Sequence, residues 1–107
     1  MFKIVVGVND RDEALDALRL AREIAAVEGA EVIAAAAFEY YAADVMTLAY
    51  PEAQRVFYEA VEKRAESALA GVPYTLTRLT DSPAHGLQHL AEAEKADLIV
   101  LGSTHRG

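Results

Sequence analysis

The sequence predicts an α/β fold: a parallel sheet in strand order 3-2-1-4 with helices on both faces. Three observations lead there. Ile4-Val5-Val6-Gly7-Val8 near the start and Ala96-Asp97-Leu98-Ile99-Val100-Leu101 near the end are short apolar runs without strict alternation. Such runs suit strands covered on both faces, as in parallel sheets. Between them, stretches with apolar residues three or four apart alternate with stretches of strand length. The resulting β-α-β-α-β-α-β order implies crossovers, and right-handed sequential winding then places the third strand at an edge.

The elements follow in turn. After the first strand, Ala14, Leu18, Ala21 and Ala25 form an apolar stripe that Leu15 and Ile24 widen, and Asp12, Glu13, Asp16, Arg19 and Glu23 largely take the other side. This predicts a helix over about 11–28, capped at its start by Asn9 or Asp10 and closed by Gly29 in the left-handed conformation. The alanine-rich segment Glu31–Phe38 has helical propensity, but its place after a helix stop and its Val32-Ile33 start predict a buried second strand. Alanines in a central strand leave room for closely packed helices. The stretch Glu39–Tyr50, with Tyr40, Tyr41, Val45, Met46 and Leu48, is read as a loop with a little helix folded over the domain, against a partner-binding or lid segment.

Pro51 opens the next helix, which runs to about residue 70 with Phe57, Val61, Ala65, Ala68 and Leu69 as its apolar side; Gly71 and Pro73 end it. Tyr74–Leu79 has one mixed face and suits an edge strand. Ser82-Pro83 supplies a cap and a first-turn proline for a short helix carrying Leu87, Leu90, Ala91 and Ala93.

Composition narrows the function classes. With 107 residues, 53% hydrophobic and 25% charged, the chain reads as a single folded domain, 1–107, and not as a disordered tail. A net charge of −7 repels nucleic-acid backbones and anionic lipids, so neither nucleic acid nor membrane is an expected partner. The absence of cysteine excludes disulfides, thiolate catalysis and zinc–cysteine sites, and fits a cytoplasmic location. No signal-peptide pattern opens the chain, and no stretch approaches the length of a membrane span.

In a doubly wound sheet, ligands bind beyond the carboxyl ends of the strands where the winding reverses. Here that point lies between the first and fourth strands. Val8-Asn9-Asp10 leave one and Gly102-Ser103-Thr104-His105-Arg106-Gly107 leave the other, so two polar clusters converge. Gly102 permits close backbone approach, small residues with free N–H groups can cradle a phosphate, and Arg106 adds positive charge.

Lys3-Ile4-Val5-Val6-Gly7-Val8-Asn9, the Ser82-Pro83-Ala84 helix start and Ala96–Ser103 resemble the universal stress protein family, in the right order along the whole chain. The resemblance implies a Rossmann-like fold (adenine nucleotide alpha hydrolase-like), homodimers, and in many members ATP binding, with magnesium accompanying the nucleotide. It implies a non-enzymatic nucleotide-binding or nucleotide-sensing module in stress response. Carried onto this chain, adenine falls near Ala37, ribose near Val8 and Asn9, and phosphates near Gly102, Ser103 and His105. Asn9 stands where ATP-binding members have an acidic residue. His105 stands where the second glycine of the family's phosphate motif belongs, and the third falls beyond residue 107. The family pattern continues with a helix and a fifth strand, so the sequence is expected to be C-terminally incomplete, with the fifth strand missing. The alternative is an interaction or dimerisation module that has lost nucleotide binding, acting through dimerisation or the Glu39–Tyr50 segment.

Other constellations carry less. His85 and His89 are four apart on one helix but lack a third ligand, and read as solvent-facing. Ser103 and His105 lack an orienting acid, so no catalytic residue is assigned. Asn9-Asp10 and Thr80-Asp81 echo the strand-end carboxylates of phosphorylatable receiver domains, without the lysine those require. Glu62-Lys63-Arg64-Glu66 reads as a solvated helix face with local ion pairs.

Overall fold

A computed structural model describes residues 1–38, 49–80 and 82–102. Along these, four strands and three helices alternate: β1 (Lys3–Val8), α1 (Glu13–Glu28), β2 (Glu31–Ala36), α2 (Tyr50–Ala68), β3 (Tyr74–Arg78), α3 (Pro83–Glu94) and β4 (Leu98–Leu101). The strands form one sheet in the order β3-β2-β1-β4, with every neighbouring pair parallel. The expected topology is therefore the observed one, with β1 between β2 and β4.

The pleat explains why β1 needs no polar alternation. Ile4, Val6 and Val8 point into a core shared with Ala14, Leu18 and Ala21 of α1 and with Phe57, Val61 and Ala65 of α2. Val5 points the other way, into a smaller core with Ile33, Ala35 and Leu87 of α3. Two helices thus cover one face and one covers the other. Each side of β1 meets apolar surface, and exposing either would cost about 25 cal/mol per Å² of apolar area. The alanines of β2 are buried almost completely, Ala34, Ala35 and Ala36 all at 1% exposure or less. Larger side chains there would hold the helices further off.

Several boundaries differ from expectation, each for a local reason. Helix α1 begins at Glu13, and no side chain caps it. Asn9 instead accepts a hydrogen bond from the Arg11 amide at its Oδ1, 2.9 Å away, closing an Asx turn ahead of the helix. The first α1 amides then bond three residues back, Ala14 to Arg11 and Leu15 to Asp12. Gly29 closes the helix at φ 66°, as expected. Strand β4 begins at Leu98, because Ala96 belongs to the preceding cap: its amide bonds the Ala91 carbonyl while Lys95 turns left-handed at φ 53°. Asp97 then binds β1 twice, its amide donating to the Lys3 carbonyl and its carboxylate accepting from the Lys3 amide, both at 2.9 Å.

Arg64 departs from the solvated face expected of its cluster. It is half-buried, with Nη1 3.4 Å from the Ala60 carbonyl and Nη2 3.9 Å from Asp12 at the start of α1. Glu62, Lys63 and Glu66 are exposed as expected. The segment from Glu39 to Leu48, with its loop-or-lid reading, lies outside the described residues; Tyr50 is the first residue of α2.

Candidate functional site at the carboxyl ends of the central strands

The register of the central strands sets the site. Gly7 of β1 pairs with Leu101 of β4, and Val8 pairs with Ala36 of β2. One residue further on, Asn9, Ala37 and Gly102 leave three adjacent parallel strands at the same end of the sheet. All three line one crevice, together with Gly7 and Val8. The two polar clusters meet as the winding reversal requires, as far as Asn9 and Gly102 carry them. Ser103 and His105, expected at the phosphates, lie outside the described residues.

The crevice has a volume of about 170 Å³. Its floor is apolar: Ala35 of β2 and Ala37 just beyond it, Leu101 from β4, and Leu79 and Leu87 from around α3. Gly7 keeps that floor open. A Cβ there would come within 2.8 Å of Leu101 Cδ2 and 2.9 Å of Leu87 Cδ1, both flexible side-chain ends. Gly102 is constrained more firmly, since a Cβ would stand 2.5 Å from the Glu13 carbonyl oxygen, which is backbone. The glycine is thus required where β4 runs against the first turn of α1, before any ligand is considered.

The polar lining is sparse. Asn9 is half-buried and its Oδ1 is held by the Arg11 amide. Glu13, in the first turn of α1, adds a carboxylate; among the described lining residues it is the one titratable side chain. The sequence places Glu13 on the polar side of its helix, and Pro83 and Leu87 in α3 only as a first-turn residue and a core residue. The missed signal is topological: in right-handed crossovers the helices that follow β1 and β3 start at the same end of the sheet as Asn9, so their first turns wall the crevice. His85 and His89 are exposed on α3, away from this lining, and no group of three potential metal ligands exists among the described residues.

Comparison with known proteins agrees with this architecture. A search of curated proteins finds no match. Among solved structures, protein Rv1636 from Mycobacterium tuberculosis H37Rv superposes with a TM-score of 0.65 at 28% identity, over 94% of this chain and 70% of that one. A universal stress protein in complex with cAMP gives a TM-score of 0.65 at 28% identity, over 92% of this chain and 69% of that one. A universal stress protein from Archaeoglobus fulgidus, at 24% identity and a TM-score of 0.67 over 100% of this chain and 80% of that one, supports the fold alone. The model of the universal stress protein family matches residues 1–107. On that match, the chain belongs to the universal stress protein family.

Proposed function

We propose that this chain is a cytoplasmic, non-enzymatic module that binds or senses an adenine nucleotide in the crevice between β1 and β4. The observation that carries the reading is the opening of Asn9, Ala37 and Gly102 onto one crevice at the reversal of the winding. The similar structure holding cAMP supports the ligand class. Adenine would lie against Ala37, ribose against Val8 and Asn9, and phosphates beyond Gly102 toward Ser103 and His105. The apolar floor fits a base, and the Asn9 amide fits a sugar. At about 170 Å³ the described walls hold less than the roughly 300–1,000 Å³ of typical small-molecule pockets. In this reading they would line the nucleoside end of the site. A triphosphate next to Glu13 would place like charges together, and the magnesium that accompanies ATP would offset them.

The non-enzymatic reading rests on the sequence, in which Ser103 and His105 lack an orienting acid and no general base is positioned.

A thermal-shift titration tests the binding reading. Ligand at 100 times its Kd stabilises the native state by about 2.7 kcal/mol, which raises Tm by roughly 11–22 °C in a domain of this size. No shift with millimolar ATP and magnesium, nor with cAMP, would remove it.

A second reading, an interaction module acting as a homodimer, is favoured by one observation. Ile99 and Leu101 of β4 are 45% and 61% exposed, because α3 covers β1 and β2 on that face and leaves β4 open. It predicts a dimer in solution whether or not nucleotide is present.

A further inference from the structure

The outer edge of β3 is unpaired among the described residues. On its inner side, the Pro73 carbonyl accepts from the Val32 amide, and the Leu79 amide donates to the Ala36 carbonyl. In a parallel ladder, alternate residues of a strand serve the same neighbour. Pro73, Thr75, Thr77 and Leu79 therefore turn their backbone groups toward β2. Tyr74, Leu76 and Arg78 turn theirs outward, where no described strand takes them up. The side chains of those three residues also line a groove of about 280 Å³, whose other wall is Glu62, Ala65 and Glu66 of α2. A free edge over a groove offers main-chain hydrogen bonds and side-chain subsites together.

The charges along this groove are unbalanced. Tyr58, Glu62 and Glu66 are four apart in sequence, so they share one stripe of α2. The Arg78 guanidinium stands 4.1 Å over the Tyr58 ring. Glu62 and Glu66, one and two turns further along, are exposed and make no ion pair among the described residues. We propose that the groove takes an extended, basic segment of a partner protein, added to the sheet as a strand beside β3. Its backbone bonds Tyr74, Leu76 and Arg78. Alternate side chains enter the groove, where lysines or arginines meet Glu62 and Glu66. The others lie beside Thr75 and Thr77 on the opposite face. A second copy is the weaker occupant here, because it brings a net charge of −7 to a groove lined by two unpaired carboxylates. No residue of the groove lines the crevice, so the inference stands apart from the nucleotide reading.

The test uses the full chain and a short peptide of alternating lysine and valine, with alternating glutamate and valine as control. Affinity is read from peptide fluorescence anisotropy, and amide hydrogen exchange from NMR. The lysine peptide is expected to slow exchange at the Tyr74, Leu76 and Arg78 amides, and the glutamate peptide to leave it unchanged. Glu62→Gln with Glu66→Gln is expected to weaken binding about three- to tenfold, the scale of two exposed charge pairs. Glu23→Gln with Glu28→Gln removes the same charge from the exposed side of α1 and is expected to leave the affinity as it was. That comparison separates the groove from overall acidity. Equal weakening by both pairs, binding of the glutamate peptide, or unslowed exchange at the three amides overturns the inference. Slowing that grows with protein concentration alone makes a second copy the occupant and overturns it as well.

Discussion

A methyl group at Gly102 would stand 2.5 Å from the Glu13 carbonyl oxygen and 2.9 Å from its carbonyl carbon. Neither atom can swing aside, so Gly102→Ala has to push the end of β4 away from α1. Overpacking of this kind costs about 1–3 kcal/mol, and a drop in Tm of roughly 4–8 °C per kcal/mol is the expected readout of a thermal melt. An unchanged Tm would show that the two elements are not held at this separation. Lys95 presents the opposite opportunity. It adopts φ 53° to end α3, a conformation that burdens a residue with a Cβ by about 1–2 kcal/mol. Lys95→Gly is expected to raise stability by up to about 1 kcal/mol, measured as an upward shift of the denaturant midpoint, provided the Lys95 side chain contributes nothing else. Gly29 at φ 66° shows the same cap made with the residue that fits it.

At the scale of the element, the large core between the sheet and the helix pair carries most of the buried apolar side chains. Leu18 of α1 and Val61 of α2 are both fully buried in it. Leu18→Ala is expected to cost about 2–5 kcal/mol and Val61→Ala about 2 kcal/mol, in chemical denaturation. Leu90 in the thinner core is half-buried, so truncating it should cost visibly less. Every strand and helix within the described residues was legible in the sequence: the helices from their apolar stripes, β1 and β4 from unbroken apolar runs, β2 from its place after a helix stop, and β3 from its one mixed face. Element ends were less legible where backbone hydrogen bonds decided them. Ala96 reads as apolar strand, yet its amide is committed to the Ala91 carbonyl. Asn9 reads as a helix cap, yet it closes a separate turn. Half-buried Arg64 reads as a surface charge, since its approach to Asp12 depends on how α1 and α2 pack. Of the candidate site, Val8, Asn9 and Gly102 followed from topology, because chain direction alone places them at one end of the sheet, and Ala37 followed from the family resemblance. Glu13, Pro83 and Leu87 did not, because their part in the lining depends on where helices come to rest on the sheet.

At the scale of the whole molecule, the sheet has two unequal edges. β3 presents Tyr74, Thr75, Leu76, Thr77 and Arg78, with Arg78 lying 4.1 Å over the Tyr58 ring. β4 presents Ile99 and Leu101, apolar and substantially exposed. Apolar edges promote pairing between chains, and charged residues suppress it. The homodimer reading therefore predicts that the pair of substitutions Ile99→Lys and Leu101→Lys halves the mass seen by light scattering. A mass that stays the same would place any self-association elsewhere on the surface.

The pairing of Ile4 with Leu98 also has a temporal side. These partners sit at nearly opposite ends of the sequence, and bringing them together is the most remote loop closure the sheet demands. During synthesis, the residues of β1 and β2 leave the ribosome well before those of β4. Any fragment ending before Leu98 has the floor of the crevice but not its far wall. Under the nucleotide reading, recognition of a small molecule would thus wait until β4 has docked beside β1.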